Sequence, residues 1–173
     1  MTLSLIPHPD FPAHAIDGVE VDIHQTDDDM LLTYRVIGAR PMRPEWAVAE
    51  RADGLWQTTC FEAFIRPGDG HSYFEFNFSP STRWAAYAFD RYREGMRNLA
   101  LPVEPFIERT DDGVEVDLDL SVIPYLPCVM SVSAIIEEKD GTKSYWALAH
   151  PPGKPDFHDP ACFVLELPAP RLP

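Results

Sequence analysis

The sequence predicts an all-β fold, a two-sheet antiparallel β-sandwich, from three observations. Short runs of β-branched and aromatic residues recur along the chain, clusters of Gly, Pro and Asp bound them, and helical periodicity is scarce. The runs that we interpret as strands are residues 2–6, 19–24, 31–37, 56–65, 72–78, 83–89, 103–108, 114–120, 128–137, 144–148 and 162–167. The length of 173 residues fits a single domain spanning 1–173.

Two stretches, residues 43–53 and 121–126, are predicted to be either short helices or irregular loops. Prolines stop the second of them. Neither is long enough to build a helical layer. The 18 prolines fall mostly between the predicted strands, as expected if prolines stay out of the central strands of a sheet.

Residues 56–89 read as two successive hairpins, joined by the turn sequences RPGDGH and SPSTR. In the middle strand, Phe74, Phe76 and Phe78 alternate with polar residues, so we expect the phenylalanines to face the core and the polar set to face outward. The same parity directs Phe61, Ala63 and Ile65 inward.

The register of the first hairpin decides which outward side chains meet. A turn that pairs Arg66 with His71 would place three pairs of residues opposite each other: Glu62 with Glu75, Cys60 with Asn77, and Phe64 with Tyr73. Two opposed carboxylates are destabilising unless something compensates. The candidates are an arginine such as Arg91 or Arg93, a bound cation, a shared proton or a ligand hydroxyl.

The composition excludes several classes of partner. Lys and Arg number 14 against 28 Asp and Glu, and the formal charge of −14 disfavours nucleic acid and anionic lipid surfaces. No apolar run is long enough to span a membrane, and no standard export signal is visible, so we expect a cytoplasmic protein. The three irregularly spaced cysteines are expected to be free thiols.

The predicted outward face carries Glu62, Tyr73, Glu75, Asn77 and Tyr87, which combine aromatic surface with hydrogen-bond acceptors. Aromatic rings stack on the apolar faces of sugars, and carboxylates accept strong hydrogen bonds from hydroxyl groups. The face therefore suits a small polar ligand, a sugar above all. The alternative is a face that is only solvated, or covered by a loop.

Other chemistries remain open from the residues alone. Two neighbouring carboxylates are also the equipment of a glycoside hydrolase. The C-terminal loop HPPGKPDFHDP concentrates five titratable side chains, which suggests either a divalent metal site or a rigid cover for a sheet edge. No cofactor is predicted, and the identity of any metal is left unknown.

Residues 56–65 (WQTTCFEAFI), 73–96 (YFEFNFSPSTRWAAYAFDRYREGM) and the tail HPPGKPDFHDPACF resemble the bacterial DOMON-like group related to family 9 carbohydrate-binding modules. The resemblance implies a jelly-roll-like sandwich that binds sugars, or in some relatives haem, without catalysis. The matching motif positions are Trp56, Glu62, Glu75, Asn77 and Trp84, although the parity of Trp84 also fits the core.

Haem-binding relatives use Met and His as axial ligands, but no such pair can be assigned here. The sequence thus favours a non-catalytic domain that binds a carbohydrate or another small polar ligand. The alternatives are a glycan-active enzyme using Glu62 and Glu75, a haem-binding sandwich, or a protein-interaction module that pairs through a strand edge. The oligomeric state is not predicted. The predicted ligand-binding residues are Trp56, Glu62, Tyr73, Glu75, Asn77, Trp84 and Tyr87.

Overall fold

The computed structural model describes residues 1–26, 28–124 and 126–167, and these form two antiparallel β-sheets packed as a sandwich, which confirms the predicted fold class. The jelly-roll-like connectivity stays a prediction. The strands are β1 (Thr2–Ser4), β2 (Ile6–Pro7), β3 (Ile16–Gln25), β4 (Asp29–Gly38), β5 (Cys60–Pro67), β6 (Tyr73–Phe78), β7 (Trp84–Phe89), β8 (Arg97–Asn98), β9 (Phe106–Arg109), β10 (Gly113–Asp119), β11 (Cys128–Glu137), β12 (Lys143–Ala147) and β13 (Leu165–Leu167).

The smaller sheet has the strand order β1-β3-β4-β10-β9, and the larger has the order β2-β12-β11-β5-β6-β7-β8. Strand β13 pairs with Cys128–Met130 at the start of β11, whereas β12 pairs with the second half of β11. The predicted strand at residues 2–6 is divided, because β1 joins the smaller sheet and β2 the larger. The chain crosses between the sheets at buried Leu5.

The core between the sheets follows the alternation of the sequence. Phe61, Ala63, Ile65, Phe76 and Phe78 are buried in it, as predicted, and Phe74 packs against it from a partly buried position. These side chains, with those of the smaller sheet that face them, are removed from water between the two sheets, which is the main stabilising contribution to such a fold.

A hydrogen bond crosses this core. The hydroxyl of Tyr34, on β4 of the smaller sheet, donates to the backbone carbonyl of Glu62 on β5 of the larger sheet at 2.8 Å. Next to Tyr34, strand β10 approaches so closely that a Cβ atom at Gly113 would lie 1.9 Å from the Tyr34 carbonyl oxygen. Glycine is therefore required at position 113 for steric reasons.

The remaining segments are irregular. Residues 43–53 form no helix; they run beside the turn that precedes β7, where Trp84 N–H donates to the Glu50 carbonyl. The described residues of 121–126 form turns, and Tyr125 lies outside the described residues. Short 3-10 turns occur at Leu55–Gln57 and Pro160–Cys162, so β5 begins four residues later than predicted.

The predicted register of the first hairpin is wrong by two residues. Ile65 pairs with Phe74, so Glu62 lies opposite Asn77, and Phe64 lies opposite Glu75. The turn is longer than expected because Pro67 and Gly68 are held next to strand β11. The backbone N–H of Gly68 donates to the Pro127 carbonyl, just before that strand. A shift of two residues keeps every side chain on its predicted face.

All three cysteines are buried and form no disulfide with one another. Within residues 1–26, 28–124 and 126–167, no helix is long and apolar enough to cross a membrane.

Candidate functional site

The outward face of the larger sheet is apolar at its centre and is partly covered. Phe64 on β5, Tyr87 and Phe89 on β7, and Ile135 on β11 form a second hydrophobic cluster, separate from the main core. Phe157, from the loop between β12 and β13, packs onto the same cluster. The C-terminal loop therefore lies over the face of the sheet rather than along its edge.

A cavity of about 550 Å³ lies between this face and the segments that cover it. Its lining is mainly aromatic, with charged groups at a few points. The lining includes Trp56, Glu62, Phe64, Glu75, Tyr87, Arg93, Lys154, Phe157 and His158. A largely apolar, concave surface with a few convergent polar groups is typical of a small-molecule site.

Glu62 lies in this lining with only 3% of its surface exposed. Burial raises the pKa of its carboxyl group to about 8, and the negative charge of Glu75 acts in the same direction. A hydrogen bond from Ser133 Oγ to Glu62 Oε2, at 3.0 Å, opposes the shift. At neutral pH the Glu62 side chain is therefore largely protonated and able to donate as well as accept a hydrogen bond.

Glu75 is the second buried carboxyl group of the cavity. Burial raises its pKa, while a 2.8 Å hydrogen bond from Asn77 Nδ2 to Oε1 and the charge of Arg93 lower it. The other oxygen, Oε2, lies 3.8 Å from His158 Nε2. Because Glu62 and Glu75 are diagonal neighbours on β5 and β6, their backbones are about 7 to 8 Å apart instead of directly opposed.

Arg93 supplies the compensating positive charge that the two glutamates require. It lowers the pKa of both carboxyl groups. Its guanidinium donates to Asp156 Oδ1 at 2.8 Å, and this ion pair connects the segment after β7 with the C-terminal loop. The arginine thus covers the site and balances its charge, whereas Arg91 pairs with Glu94.

His158 closes the cavity beside Glu75. Its Nδ1 is 2.8 Å from the Tyr73 hydroxyl, and its ring packs edge-on against Phe64 and Phe89. Burial, reinforced by the charge of Arg93, lowers the pKa of His158 to about 4, so its imidazole is neutral at neutral pH. A neutral ring next to Glu75 leaves that carboxyl group available to a ligand.

Residues of the irregular segment 43–53 hold Tyr87 in place. Its hydroxyl donates to Asp53 Oδ1 at 2.6 Å, and the Arg51 guanidinium lies 5.2 Å from its ring centre. Burial and the bond to Asp53 raise the pKa of the Tyr87 hydroxyl well above its ordinary value. The ring is consequently a fixed, uncharged wall of the cavity.

Comparison with solved structures identifies a chain with the same fold. A candidate carbohydrate-binding protein from Bacteroides uniformis superposes with a TM-score of 0.70 at 16% identity, covering 94% of this chain and 84% of that one. The likeness shows the fold. A family 9 carbohydrate-binding module from Caldicellulosiruptor kristjanssonii, in complex with glucose, matches with a TM-score of 0.43 at 13% identity over 79% of this chain and 69% of that one.

Neither a protein-family model nor a curated protein matches the sequence.

The structure brings together four of the seven predicted ligand-binding residues. Trp56, Glu62, Glu75 and Tyr87 line the cavity. Tyr73 and Asn77 lie on the same face but are buried beside the cavity lining, where they bond to His158 and Glu75.

The prediction for Trp84 is wrong. Its ring is 5% exposed and packs in the core between the sheets, on the opposite face of β7 from Tyr87. The physical reason is the alternation of side chains along a strand, which puts residues 84 and 87 on opposite faces.

Sequence reasoning did not assign His158, Phe157 or Lys154 to this face. The sequence feature that points to them is the loop HPPGKPDFHDP, dense in titratable side chains, which predicts either a metal site or a cover for a sheet edge. Within the described ranges no three His, Cys, Asp or Glu side chains are grouped to hold a metal ion. The lining holds one histidine and one methionine, His158 and Met96, the residue types that haem-binding relatives use; His158 bonds Tyr73 through Nδ1, and its Nε2 lies 3.8 Å from Glu75 Oε2.

Proposed function

We propose that this chain binds a small carbohydrate, or a ligand equally rich in hydroxyl groups, in the cavity over β5, β6 and β7 without transforming it. The observation that carries the proposal is the pair of buried carboxyl groups, Glu62 and Glu75, beneath aromatic walls. The cavity volume of about 550 Å³ is within the usual range for small-molecule sites.

The chemistry of the lining matches such a ligand. The aromatic rings of Trp56 and Tyr87 offer flat apolar surfaces for a sugar ring. The carboxylate of Glu75 accepts from hydroxyl groups, and Glu62, protonated at neutral pH, donates to a ring or hydroxyl oxygen. Half-exposed Arg93 adds further donors. The sandwich shared with the Bacteroides uniformis protein, described as a candidate carbohydrate-binding protein, supports the class of ligand.

Trp56 provides the first test, because 55% of its surface is exposed and its removal leaves the core intact. A panel of mono- and disaccharides is titrated by isothermal calorimetry after a thermal-shift screen. We expect Trp56→Ala to weaken binding of the responding sugar at least tenfold. Trp46→Ala is the matched control, since Trp46 is 63% exposed and stacks on Arg109 away from the cavity. Equal affinity in the two variants would contradict the proposed wall.

The carboxyl groups provide the second test. Glu75→Gln keeps the size of the side chain but removes the charge, so we expect a tenfold or greater loss of affinity at pH 7. Glu108→Gln, an exposed position on β9 of the other sheet, makes the same change in net charge. No response to any sugar in the wild-type protein would reject the proposal and favour an interaction module.

Glycan hydrolysis is the second candidate, favoured by one observation. A carboxyl group with a pKa near 8 is protonated at neutral pH and suits a general acid, as Glu62 would have to be. Incubation of the protein with the sugars that bind separates the two functions. Product formation that Glu62→Gln abolishes, while binding persists, would establish an enzyme; intact sugar after prolonged incubation supports binding alone.

A further inference from the structure

A second cavity, of about 380 Å³, lies beside the first and shares one wall with it. The shared residue is His158, which lines both cavities. The second cavity is otherwise built from the end of β5, the turn after it, the start of β6, the segment after β7 and the 3-10 turn at Pro160–Cys162 with the residue that follows it. Its lining includes Arg66, His71, Tyr73, Arg91, Glu94 and Phe163.

The charge of this cavity is opposite to that of the whole protein. The chain carries twice as many acidic as basic residues, 28 against 14. The lining nevertheless contains two arginines against one carboxylate, that of Glu94. A concave, locally positive surface on an acidic protein attracts a negatively charged group and holds it away from the repelling surface around it.

Arg66 is the group best placed to bind such a ligand. Its guanidinium lies 5.2 Å from the ring centre of Phe163, which fixes the side chain by a cation–π contact. Among the described residues, the arginine ion pairs involve positions 35, 40, 83, 91, 93 and 97, and Arg66 has no carboxylate within ion-pair distance. Its planar set of donors is therefore positioned but unused.

The other polar groups complete the arrangement. Arg91 Nε donates to Glu94 Oε2 at 2.6 Å, while its terminal nitrogens make no hydrogen bond within the described residues. The Tyr73 hydroxyl is already bonded to His158, so the aromatic side of the cavity is fixed. Two guanidinium groups around one small cavity match the paired oxygens of a phosphate or a carboxylate.

We propose that this second cavity binds an oxyanion, the phosphate or carboxylate group of a small ligand, through Arg66 and Arg91. The site does not depend on the proposed sugar binding, because none of its cationic residues lines the first cavity. The shared wall at His158 brings the two cavities side by side, so an anion in the second lies next to whatever occupies the first.

The test uses the histidines of the folded protein as reporters. Isotope-labelled protein is titrated with inorganic phosphate and, separately, with acetate, at constant ionic strength, while the imidazole resonances are followed by NMR. We expect saturable shifts at His71 and His158, which line the cavity, and none at His14 and His24, which lie elsewhere. Saturation by phosphate or by acetate supports the site, and the tighter of the two identifies the class of anion.

Two variants with the same change in net charge distinguish specific binding in the cavity from nonspecific electrostatic attraction of the anion. Arg66→Gln is expected to weaken binding at least tenfold. Arg40→Gln, an exposed arginine near Asp111, is expected to leave it unchanged. Arg91→Gln replaces the first variant if Arg66→Gln does not fold. No saturable shift with either anion, or an equal loss in the cavity and control variants, would overturn the proposal, whatever the outcome of the sugar titrations.

Discussion

Glu62 makes the stability of this protein dependent on pH in a direction opposite to that of most carboxyl groups. Its folded-state pKa of about 8 is raised from an ordinary value of 4.5 by burial. Between these two values the unfolded chain releases a proton that the folded chain keeps. The folded state is therefore progressively disfavoured as the pH rises from about 4.5 to about 8, and the loss is complete above that range.

The size of the effect follows from the shift. Each pKa unit corresponds to about 1.4 kcal/mol, so the full change is at most about 5 kcal/mol. Between pH 5 and pH 8 the expected loss of unfolding free energy is about 3 kcal/mol. Glu62→Gln removes the titration while keeping an oxygen that can accept from Ser133 Oγ. The variant should therefore gain about 3 kcal/mol over the wild type across this interval.

Urea unfolding at pH 5, 6, 7 and 8, followed by tryptophan fluorescence, measures the difference directly. Glu108→Gln, at an exposed position on β9, makes the same chemical change and is the control. A difference between Glu62→Gln and the wild type that does not change with pH would show that Glu62 binds the same number of protons in the folded and unfolded states. Burial would then not raise the pKa of the Glu62 carboxyl group.

Three further predictions concern the core. Tyr34→Phe should lower the free energy of unfolding by about 1 kcal/mol in urea titrations, because it removes the buried hydrogen bond from the Tyr34 hydroxyl to the Glu62 carbonyl; an unchanged midpoint would mean that the bond contributes nothing. Gly113→Ala should fail to reach the native melting temperature, since its Cβ would collide with the Tyr34 carbonyl oxygen, and a native-like melt would contradict the close approach. The three cysteines should react with a thiol reagent only after unfolding, because all are buried; rapid labelling of native protein would refute this.

The sequence predicts the placement of side chains best in strands that bury one face. Alternation along residues 74–78 correctly directed Phe76 and Phe78 into the core, and it placed Glu62 and Glu75 on the same outward face even though the register was wrong. A two-residue error keeps parity, which explains why the face was predictable and the opposing pairs were not.

The rest of the site depends on contacts between distant segments. Arg93 and Asp156 are 63 positions apart, and only the folding of the C-terminal loop over the sheet brings them within 2.8 Å. No periodicity encodes such a contact, because the backbone of a loop is not restricted to two faces as a strand is. For the same reason the sequence predicts for that loop either a metal site or a cover for a sheet edge, and does not place its histidine in the cavity wall.

The division of the first seven residues between two sheets has a consequence for association. Strand β1 caps the free side of β3, and β2 caps the free side of β12, so one short segment closes an outer boundary of each sheet. Without β1, its partner residues in β3, Glu20–Asp22, would present unpaired N–H and C=O groups to other molecules. This segment therefore shields one stretch at the edge of each sheet from edge-to-edge association with other chains.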